Sequence, residues 1–412
     1  MFNLRMLKLS DPVLWIVTGA LVLIGFLAIF STTCSMQIKL GLDPLFFVKR
    51  QLLSLLVGIA GLAIFAYLDY RHLKKIAPVF YIVMLALLAA ILFVGSAGQS
   101  AQRWFQLGPF SFQPSELSKI VIVICLAAFF STKKKLNNVW DAGLLLLLVG
   151  VPFVLIFKQP DLGTALVFVF ILIGMLTSSW SSPKLLVMLL TPMLSVLLRP
   201  FFYVWIVYLL LLALVLFLTR ASLWDWVLIL GINIAVGVAL PFIWGMLKAY
   251  QRQRIIAFLN PGLDPHGAGY HSLQSKIAIG SGGFFGKGFL RGSQTQLQYI
   301  PEQHSDFIFS AIGEEFGFIG ALTVLTLFGL FIWRALMVSS EALDPFGGLL
   351  ASGIAAMAAF HVLANVGMTL GLLPVVGMPL PFVSFGGSSL LMNLISLGIL
   401  QSVYMRRKKI IF

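Results

Sequence analysis

Long apolar stretches separated by short polar breaks dominate this 412-residue chain. Twelve of these stretches approach the roughly 20 residues that a helix needs to cross a bilayer. Because unpaired backbone groups are costly in lipid, stretches of this length are expected to be helices. The pattern therefore predicts an all-α, polytopic membrane protein. The expected spans are 13–31, 51–69, 76–95, 115–131, 141–157, 161–178, 184–199, 201–219, 225–247, 307–334, 348–373 and 384–405.

One segment, 249–306, departs from this pattern because it is long, polar and rich in glycine. It contains three of the chain's 14 acidic residues, Asp264, Glu302 and Asp306, and three of its five histidines. Ionisable groups gathered in one loop of an otherwise apolar chain indicate chemistry in that loop. The predicted organisation is nine helices over 1–248, a large loop over 249–306, and three helices with a basic tail over 307–412.

Composition agrees with this class, and charge predicts the orientation. Hydrophobic residues make up 60% of the chain and charged residues 10%, against about half and about a quarter in soluble domains. If the first segment is cytoplasmic, that side receives fifteen Lys and Arg residues in short loops and tails, and the opposite short loops receive six. Since positive residues concentrate on the cytoplasmic side, both termini are expected in the cytoplasm, with the large loop outside the cytoplasmic membrane. Anionic lipid headgroups explain the net charge of +14 better than nucleic acid does.

Four charged residues near the ends of predicted spans are candidates for binding a substrate anion. Arg103 lies in an aromatic run that equally suits an interfacial aromatic belt. Glu116 in the first turn of a span interacts favourably with the helix dipole, and Lys119 lies on the same face. A lone ammonium in a span is costly, so Lys119 either pairs with a carboxylate or faces an aqueous cavity. Asp161 begins another span, where it suits the helix dipole or pairs with Lys119 or Arg103.

The large loop contains further candidates. It opens with a basic, amphipathic segment that includes Arg252 and Arg254 and suits the outer membrane surface. Asp264 follows in a turn-rich stretch of Asn-Pro, Asp-Pro and glycines, so turn chemistry alone explains it. The run 280–288 superficially suggests a phosphate-binding P-loop, but it lacks that motif's first glycine and its Ser or Thr. Its glycines better suit a re-entrant bend or a close approach to a lipid headgroup.

Two more groups of polar residues follow the glycine-rich run. Glu302, His304 and Asp306 close the large loop, where Asp306 suits the cap of the next helix. These three side chains could together hold a metal ion, although their spacing matches no recognised ligand pattern. Ser384 lies in the outer loop 374–389, whose Pro, Gly and Ser content suits non-helical backbone that lines a cavity.

Five stretches of the chain together resemble the SEDS family (shape, elongation, division and sporulation). They are Arg103–Lys119, Gln159–Thr164, Tyr250–Gly288, Pro301–Glu315 and Asn365–Ser389. Their order and spacing extend the resemblance over nearly the whole chain, and the pieces 267–270, 274–280 and 381–387 are the most specific. The family usually has ten spans, so the resemblance implies an additional helix pair near 184–219. An even insertion leaves the large loop on the same side of the membrane.

The resemblance implies a peptidoglycan glycosyltransferase that polymerises lipid II outside the cytoplasmic membrane. It also implies a class B penicillin-binding protein as the cross-linking partner, together with other membrane proteins of the elongation complex. Asp264 matches the family's catalytic Asp and would act as general base on the acceptor hydroxyl while polyprenyl diphosphate leaves. The diphosphate already supplies the energy, so no nucleotide site is expected. The one cofactor that this chemistry suggests is a divalent cation, Mg²⁺ or Mn²⁺, with no ligands assigned.

The expected substrate-binding residues combine these observations. Positive charge is needed beside the leaving diphosphate, and Arg103, Lys119, Arg252, Arg254 and Lys276 are the candidates for supplying it. Other expected contacts to the lipid II headgroup are Glu116, Asp161, Gln274, Ser275, Glu302, His304, Asp306 and Ser384.

Three alternative functions remain open at this point. A lipid II flippase or another transporter is the main alternative, because many helices with a few buried charges are equally typical of transporters. A transporter should need Lys119 and Asp161 but tolerate loss of Asp264, whereas a scaffold for the cross-linking partner should tolerate both changes. Within the family, Tyr250–Ile255 and Gln274–Gly280 favour the branch for cell elongation and rod shape over the division branch.

Overall fold

Helices fill all twelve predicted spans, and the described part of the large loop contains further helices, among them Ala268–Gly282 and Ser293–Gln296. The computed structural model describes residues 9–94, 96–98, 101–107, 110–133, 139–159, 161–179, 183–219, 222–247, 252–253, 256, 258 and 268–407. Two predicted site residues, Asp264 and Arg254, lie outside the described residues. The helices are α1 (Pro12–Lys39), α2 (Phe46–Tyr67), α3 (Arg71–Val94), α4 (Pro114–Thr132), α5 (Val139–Lys158), α6 (Leu162–Ser178), α7 (Pro183–Leu198), α8 (Phe202–Leu218), α9 (Leu223–Met246), α10 (Ala268–Gly282), α11 (Ser293–Gln296), α12 (Ile308–Glu341), α13 (Pro345–Thr369) and α14 (Gly387–Met405).

The prediction of an all-α membrane protein is confirmed. Eight of the described helices are long and apolar enough to cross a membrane, and shorter apolar helices accompany them at 143–158, 162–178 and 202–218. Helices α4, α13 and α14 are buried along most of their length and form the centre of the bundle, whereas fewer than a third of the residues in the apolar windows of α2, α3 and α9 are buried. Exposed apolar side chains along a helix are expected where lipid is the solvent.

Close backbone contact joins α2 to α14. A Cβ atom added to Gly398 would lie 2.6 Å from the carbonyl oxygen of Leu62, and one added to Gly58 would lie 2.4 Å from Leu394 Cδ1. Between helices in lipid, small residues at the interface allow van der Waals packing that larger side chains would prevent. Gly398 is therefore a requirement of this helix pair.

A polar cluster joins the start of α1 to α12 and to the end of α14. Asp11, the N-cap of α1, forms an ion pair with Arg334 of α12. The backbone N–H of Asp11 donates to Gln401 Oε1 of α14 (2.8 Å), and Arg334 donates to the hydroxyl of Tyr404 (3.1 Å). The start of α1 and the end of α14 therefore lie on the same face, in agreement with two termini on one side of the membrane.

A small antiparallel sheet, which the sequence pattern did not predict, follows α3. Its strands are β1 (Ser96–Gly98), β2 (Ala101–Leu107) and β3 (Phe110–Phe112), in the order β1-β2-β3. Phe105 pairs with Phe112 and Gln106 with Ser111. The aromatic run that includes Arg103 thus forms a strand, as its high content of aromatic residues favours.

The glycine-rich run 280–288 contacts helix α12, and both segments have glycines at the contact. The sequence pattern predicts a loop for the run and an uninterrupted helix for α12. Helix α12 is broken at Gly317 (φ +66°), and the freed N–H of Phe318 donates to the carbonyl of Gly283 at 2.9 Å. A Cβ on Gly286 would lie 2.2 Å from the carbonyl oxygen of Glu315. The glycines of the run 280–288 therefore allow its backbone to approach the backbone of the interrupted helix.

Glu314 ties the loop after α10 to α12. Its buried carboxylate accepts hydrogen bonds from the backbone N–H groups of Gln294 and Thr295, both at 2.9 Å. The Thr295 hydroxyl donates at 2.7 Å and the Lys287 ammonium at 2.8 Å. A buried carboxylate with this many donors is fully paired, so Glu314 fixes the short helix α11 and the loop around it.

The helices α7, α8 and α9 form a peripheral unit that includes the additional pair expected near 184–219. Ser195 of α7 accepts from Trp205 Nε1 at 2.6 Å and donates to the carbonyl of Asn233 in α9 at 3.0 Å. The Tyr208 hydroxyl donates to the carbonyl of Thr191 at 2.9 Å. Hydrogen bonds of this kind join helices in lipid, so the three helices are connected to one another by polar contacts.

Candidate active site

A cavity of about 1040 Å³ lies at the end of α1 that is remote from Asp11. It is surrounded by the α1–α2 connection, the first turns of α2, α4, α6 and α14, the β2–β3 hairpin, and the segments that precede α12 and α14. Seven predicted site residues, which are separated by up to two hundred positions in the sequence, line it together. They are Arg103, Glu116, Lys119, Asp161, Glu302, His304 and Asp306.

Lys119 both pairs with a carboxylate and faces the cavity. Its ammonium nitrogen lies 2.7 Å from Glu116 Oε1 and 2.9 Å from Nε2 of His361 in α13. All three residues are almost fully buried, and Lys119 and Glu116 line the cavity. The two explanations that the sequence left open for Lys119 therefore hold at the same time.

Asp161 caps α6 and does not pair with Lys119. Its carboxylate accepts from the backbone N–H of Thr164 (3.2 Å) and from the Thr164 hydroxyl (3.0 Å). It also accepts from Gln113 Nε2 and the Ser115 hydroxyl, both at 3.2 Å, at the start of α4. Asp161 thus aligns the first turns of two helices at the cavity wall.

Arg103 joins the sheet to the end of α5. Its Nε donates to the carbonyl of Gln159 at 2.9 Å, and Gln159 Nε2 donates to the carbonyl of Leu88 in α3 at 2.9 Å. The neighbouring Trp104 also lines the cavity. Arg103 is therefore held at the cavity lip, where the sequence interpretation had placed it beside a lipid headgroup.

The segment that precedes α12 is attached to the loop that precedes α14. The Ser384 hydroxyl donates to the carbonyl of Ser305 at 2.6 Å and accepts from the N–H of Leu380 at 2.8 Å. The N–H of Phe385 donates to the carbonyl of His304 at 2.9 Å. Ser384 is therefore not among the residues that line the cavity, and it connects two segments of the cavity wall.

The His304 ring is packed between two aromatic rings. Its centroid lies 4.9 Å from that of Phe47 and 5.4 Å from that of Phe385. Burial lowers the pKa of His304, and the nearby Glu302 carboxylate at 4.0 Å only partly offsets this. His304 is consequently a neutral imidazole of fixed orientation at neutral pH.

The expectation that Asp306 caps α12 is wrong. Helix α12 begins at Ile308, and Phe307 occupies the capping position without a side-chain capping hydrogen bond. The carbonyl of Asp306 instead accepts from Asn365 Nδ2 of α13 at 2.8 Å. Its carboxylate lies close to Gly377, where an added Cβ would be 3.1 Å from Oδ2. The side chain therefore faces the cavity.

Sequence reasoning missed several residues of this cavity. Lys49 and Arg50 of α2 line it, and Lys49 forms an ion pair with Asp43 at 2.5 Å that lowers the pKa of that carboxyl. The signal for both was present, because two adjacent basic residues on the outer side run against the usual positive-inside distribution. His361 carried no such signal, since a single histidine in an apolar helix is ordinary in sequence.

Four other predicted residues do not line this cavity. Ser275 in α10 hydrogen bonds to the Ser310 hydroxyl and the Thr369 carbonyl, both at 2.6 Å, so it joins α10 to α12 and α13. The Lys276 stem lies over Gly371 (φ +66°), where a Cβ would be 1.9 Å from Lys276 Cε. Gln274 lies on the same helix, and Arg252 donates to the carbonyl of Leu247 at 3.1 Å.

The charges of the cavity are mixed. Its described lining includes four Lys and Arg residues (Lys49, Arg50, Arg103, Lys119) and five carboxylates (Asp43, Glu116, Asp161, Glu302, Asp306). Such a lining can bind an anion and accept hydrogen bonds from sugar hydroxyls. Among the residues that the structure describes, no three His, Cys, Asp or Glu side chains converge on one point to hold a metal ion. These residues therefore do not fit a resident Mg²⁺ or Mn²⁺ site.

Sequence comparison finds relatives along nearly the whole chain. The family model of FtsW, RodA and SpoVE, described as cell cycle protein, matches residues 11–203 and 177–409. The chain is 35% identical over 399 residues to the peptidoglycan glycosyltransferase MrdB of Escherichia coli K12, covering 97% of this chain and 94% of the relative. It is also 35% identical over 399 residues to a probable peptidoglycan glycosyltransferase FtsW of Trichlorobacter lovleyi, covering 95% and 92%.

Solved structures share the fold. One is a chain of a peptidoglycan synthase complex in which polymerization and crosslinking are coordinated. It superposes with a TM-score of 0.71 at 30% identity, covering 97% of this chain and 99% of that chain. The crystal structure of the rod shape-determining protein RodA of Thermus thermophilus gives a TM-score of 0.62 at 27% identity, covering 97% and 98%.

Proposed function

We propose that this chain, which belongs to the FtsW, RodA and SpoVE family of cell cycle proteins, is a peptidoglycan glycosyltransferase that polymerises lipid II during cell elongation. Its resemblance to the SEDS family and its similarity to named glycosyltransferases over almost its full length support this activity. The observation in the structure that carries the proposal is the cavity, which combines a charged interior with a border on the apolar surface of the bundle.

The border of the cavity suits a lipid-linked substrate. Leu53 and Val57, one turn apart on α2, line the cavity and are also exposed on the surface of the bundle, and Leu391 of α14 lines it nearby. Lys119, Glu116 and Asp161 also line the cavity and are buried in its interior. A polyprenyl chain can remain in lipid along this border while its diphosphate and sugars occupy the polar interior.

The proposed reaction is a direct displacement. The 4-hydroxyl of the acceptor GlcNAc attacks the anomeric carbon of the donor, and its proton passes to the carboxylate of Asp264. The bond between the anomeric carbon and the diphosphate oxygen breaks, and polyprenyl diphosphate leaves with the electron pair. The α-linked donor is thereby inverted to a β-1,4 bond without a covalent enzyme intermediate. Lys119 and Arg103, which both line the cavity, would stabilise the charge of the leaving diphosphate.

Among the described residues, no group of three His, Cys, Asp or Glu side chains could hold a metal ion by itself. Proteins often bind Mg²⁺ through one or two carboxylates together with substrate phosphates. A divalent cation that takes part here would therefore arrive with the diphosphate, and removing it with EDTA would weaken substrate binding and leave the folded protein unchanged.

The cellular setting follows from the same observations. We infer a location in the cytoplasmic membrane with both termini in the cytoplasm, which the position of Asp11 and Tyr404 on the face remote from the cavity supports. A class B penicillin-binding protein that cross-links the product is the inferred partner. The similarity to a synthase complex that couples polymerization to crosslinking supports this inference.

Polymerisation of lipid II by the purified chain, with and without such a partner, tests the proposal. Asp264→Asn should abolish glycan product while the protein remains folded and inserted in the membrane. Glu341→Gln is a matched control, because this carboxylate pairs with Arg407 at 3.4 Å, far along α12 from the cavity. Equal product from Asp264→Asn and wild type would exclude Asp264 as the general base, and a chain that only moves lipid II across the bilayer would favour the flippase.

A further inference from the structure

The buried ammonium of Lys119 is held by two acceptors from different helices. Glu116, three residues earlier on α4, accepts at 2.7 Å, and His361 Nε2 on α13 accepts at 2.9 Å. Each of these three residues is at most 5% exposed. Because an uncompensated charge is costly at this position, the two contacts determine where the ammonium lies.

The hydrogen bonds of His361 define its tautomer. Its Nδ1 lies 2.8 Å from the carbonyl oxygen of Met357, which can only accept, so Nδ1 carries the hydrogen. Nε2 therefore presents a lone pair to Lys119. A second proton on the ring would place an N–H group against an ammonium nitrogen at 2.9 Å. His361 is thus a neutral acceptor.

A lysine ammonium has three N–H donors. Within the described part of the chain, Glu116 and His361 take two of the Lys119 donors, and Lys119 lines the cavity. We propose that His361 is a positioning residue that acts through Lys119 and directs its third N–H toward the diphosphate of a polyprenyl diphosphate. This inference rests on the proposed glycosyltransferase function, because that function supplies the anionic ligand.

The neutral acceptor has a physical advantage over other residues. A second carboxylate would add negative charge to a cavity that must accept an anion, and an apolar residue would leave the flexible Lys119 stem held by Glu116 alone. Fixing a group before the ligand arrives lowers the entropy lost on binding. One turn further along α13, Asn365 Nδ2 donates to the carbonyls of Asp306 (2.8 Å) and Met378 (2.7 Å). Helix α13 therefore contacts the cavity wall at two places, through His361 at Lys119 and through Asn365 at Asp306 and Met378.

Binding of undecaprenyl diphosphate and of uncharged undecaprenol to the full-length chain in nanodiscs tests this inference. Glutamine can place an acceptor oxygen near the position of Nε2, whereas asparagine is equally polar but too short to reach Lys119. His361→Asn should weaken diphosphate binding about tenfold, the effect of one hydrogen bond to a charged group. His361→Gln should stay within about threefold of wild type by the same reasoning, and undecaprenol should bind all forms alike.

Two results from the His361 variants would overturn the inference. Diphosphate affinity in His361→Asn equal to wild type, with only the melting temperature lowered, would make His361 a purely structural residue. If His361→Asn and His361→Gln weaken diphosphate binding equally, His361 does not act as the acceptor for Lys119. If both variants fail to fold, Lys119→Met in the wild-type background is the second test, and unchanged diphosphate affinity there refutes the proposed contact.

Polymerisation assays on the same preparations separate this inference from the proposed function. If His361→Asn selectively loses diphosphate binding while the wild-type chain makes no glycan, the proposed function is contradicted and the positioning role stands. Normal polymerisation with diphosphate binding that is insensitive to residue 361 would contradict the positioning role alone.

Discussion

Replacing Glu314 with alanine tests whether this buried carboxylate fixes the loop between α10 and α12. The change removes the partner of the Lys287 ammonium and leaves the N–H groups of Gln294 and Thr295 without their acceptor. Loss of one member of a buried ion pair costs about 3–5 kcal/mol. Lys287 is 28% exposed and regains water when the pair breaks, so we expect the low end, about 3 kcal/mol, as the loss of local stability.

Hydrogen–deuterium exchange measures this local stability directly. A loss of about 3 kcal/mol corresponds to roughly 100-fold faster exchange of amides that open locally. We expect this acceleration at Gln294 and Thr295, with amides in the middle of α13 unchanged. Glu314→Gln keeps one carbonyl acceptor and should give a smaller effect.

Glu341→Ala is the matched control, because Glu341 is a carboxylate of the same helix that lies at its exposed end. It should leave exchange in 287–300 unchanged. Exchange at Gln294 and Thr295 that is the same in Glu314→Ala and wild type would show that the loop is held by other contacts. Acceleration throughout the protein would show a global effect of Glu314.

Three further predictions concern packing, the cavity wall and pH. Gly398→Val should force α2 and α14 apart and cost about 1–3 kcal/mol, which lowers the melting temperature more than Gly329→Val, because nothing lies within 4 Å of a Cβ at Gly329. Ser384→Ala leaves the part-buried carbonyl of Ser305 without its donor and the buried N–H of Leu380 without its acceptor, so glycan synthesis should fall while the exposed control Ser340→Ala matches wild type. Since burial lowers the pKa of His304, the unfolded chain takes up the proton first as pH falls below about 6.5, and the stability that the neutral ring contributes is lost there. A His304→Gln variant should show a smaller loss of melting temperature on acidification.

The membrane spans could be predicted because apolar composition over some 20 residues is a local property. Their ends depended on contacts that the pattern does not show. The first span was expected to end at residue 31, before a polar run, but α1 continues to Lys39. The hydroxyls of Thr32 and Thr33 donate to the carbonyls of Ala28 and Ile29, at 2.8 and 2.7 Å. These bonds satisfy the hydroxyls within the helix.

The candidate site was predictable only in part. Buried charges such as Lys119 stand out in an apolar sequence, because charge in a membrane span is costly. Their partners do not, since Lys119 meets His361 only when α4 and α13 pack together. Asp161 was a plausible partner for Lys119 by charge alone, yet it caps α6. Ser275 and Lys276 stand in a distinctive stretch of sequence, but in the structure they support helix packing.

We propose that the cavity around Lys119 binds the diphosphate of lipid II during glycan polymerisation. To test this, β-1,4 glycan and released polyprenyl diphosphate are measured together, for purified wild type and Lys119→Met in the presence of lipid II. We expect one diphosphate released per bond formed by wild type, and a loss of both products in Lys119→Met of about tenfold or more, as for one charge-assisted contact. Equal yields from the two proteins would exclude binding of the diphosphate by Lys119.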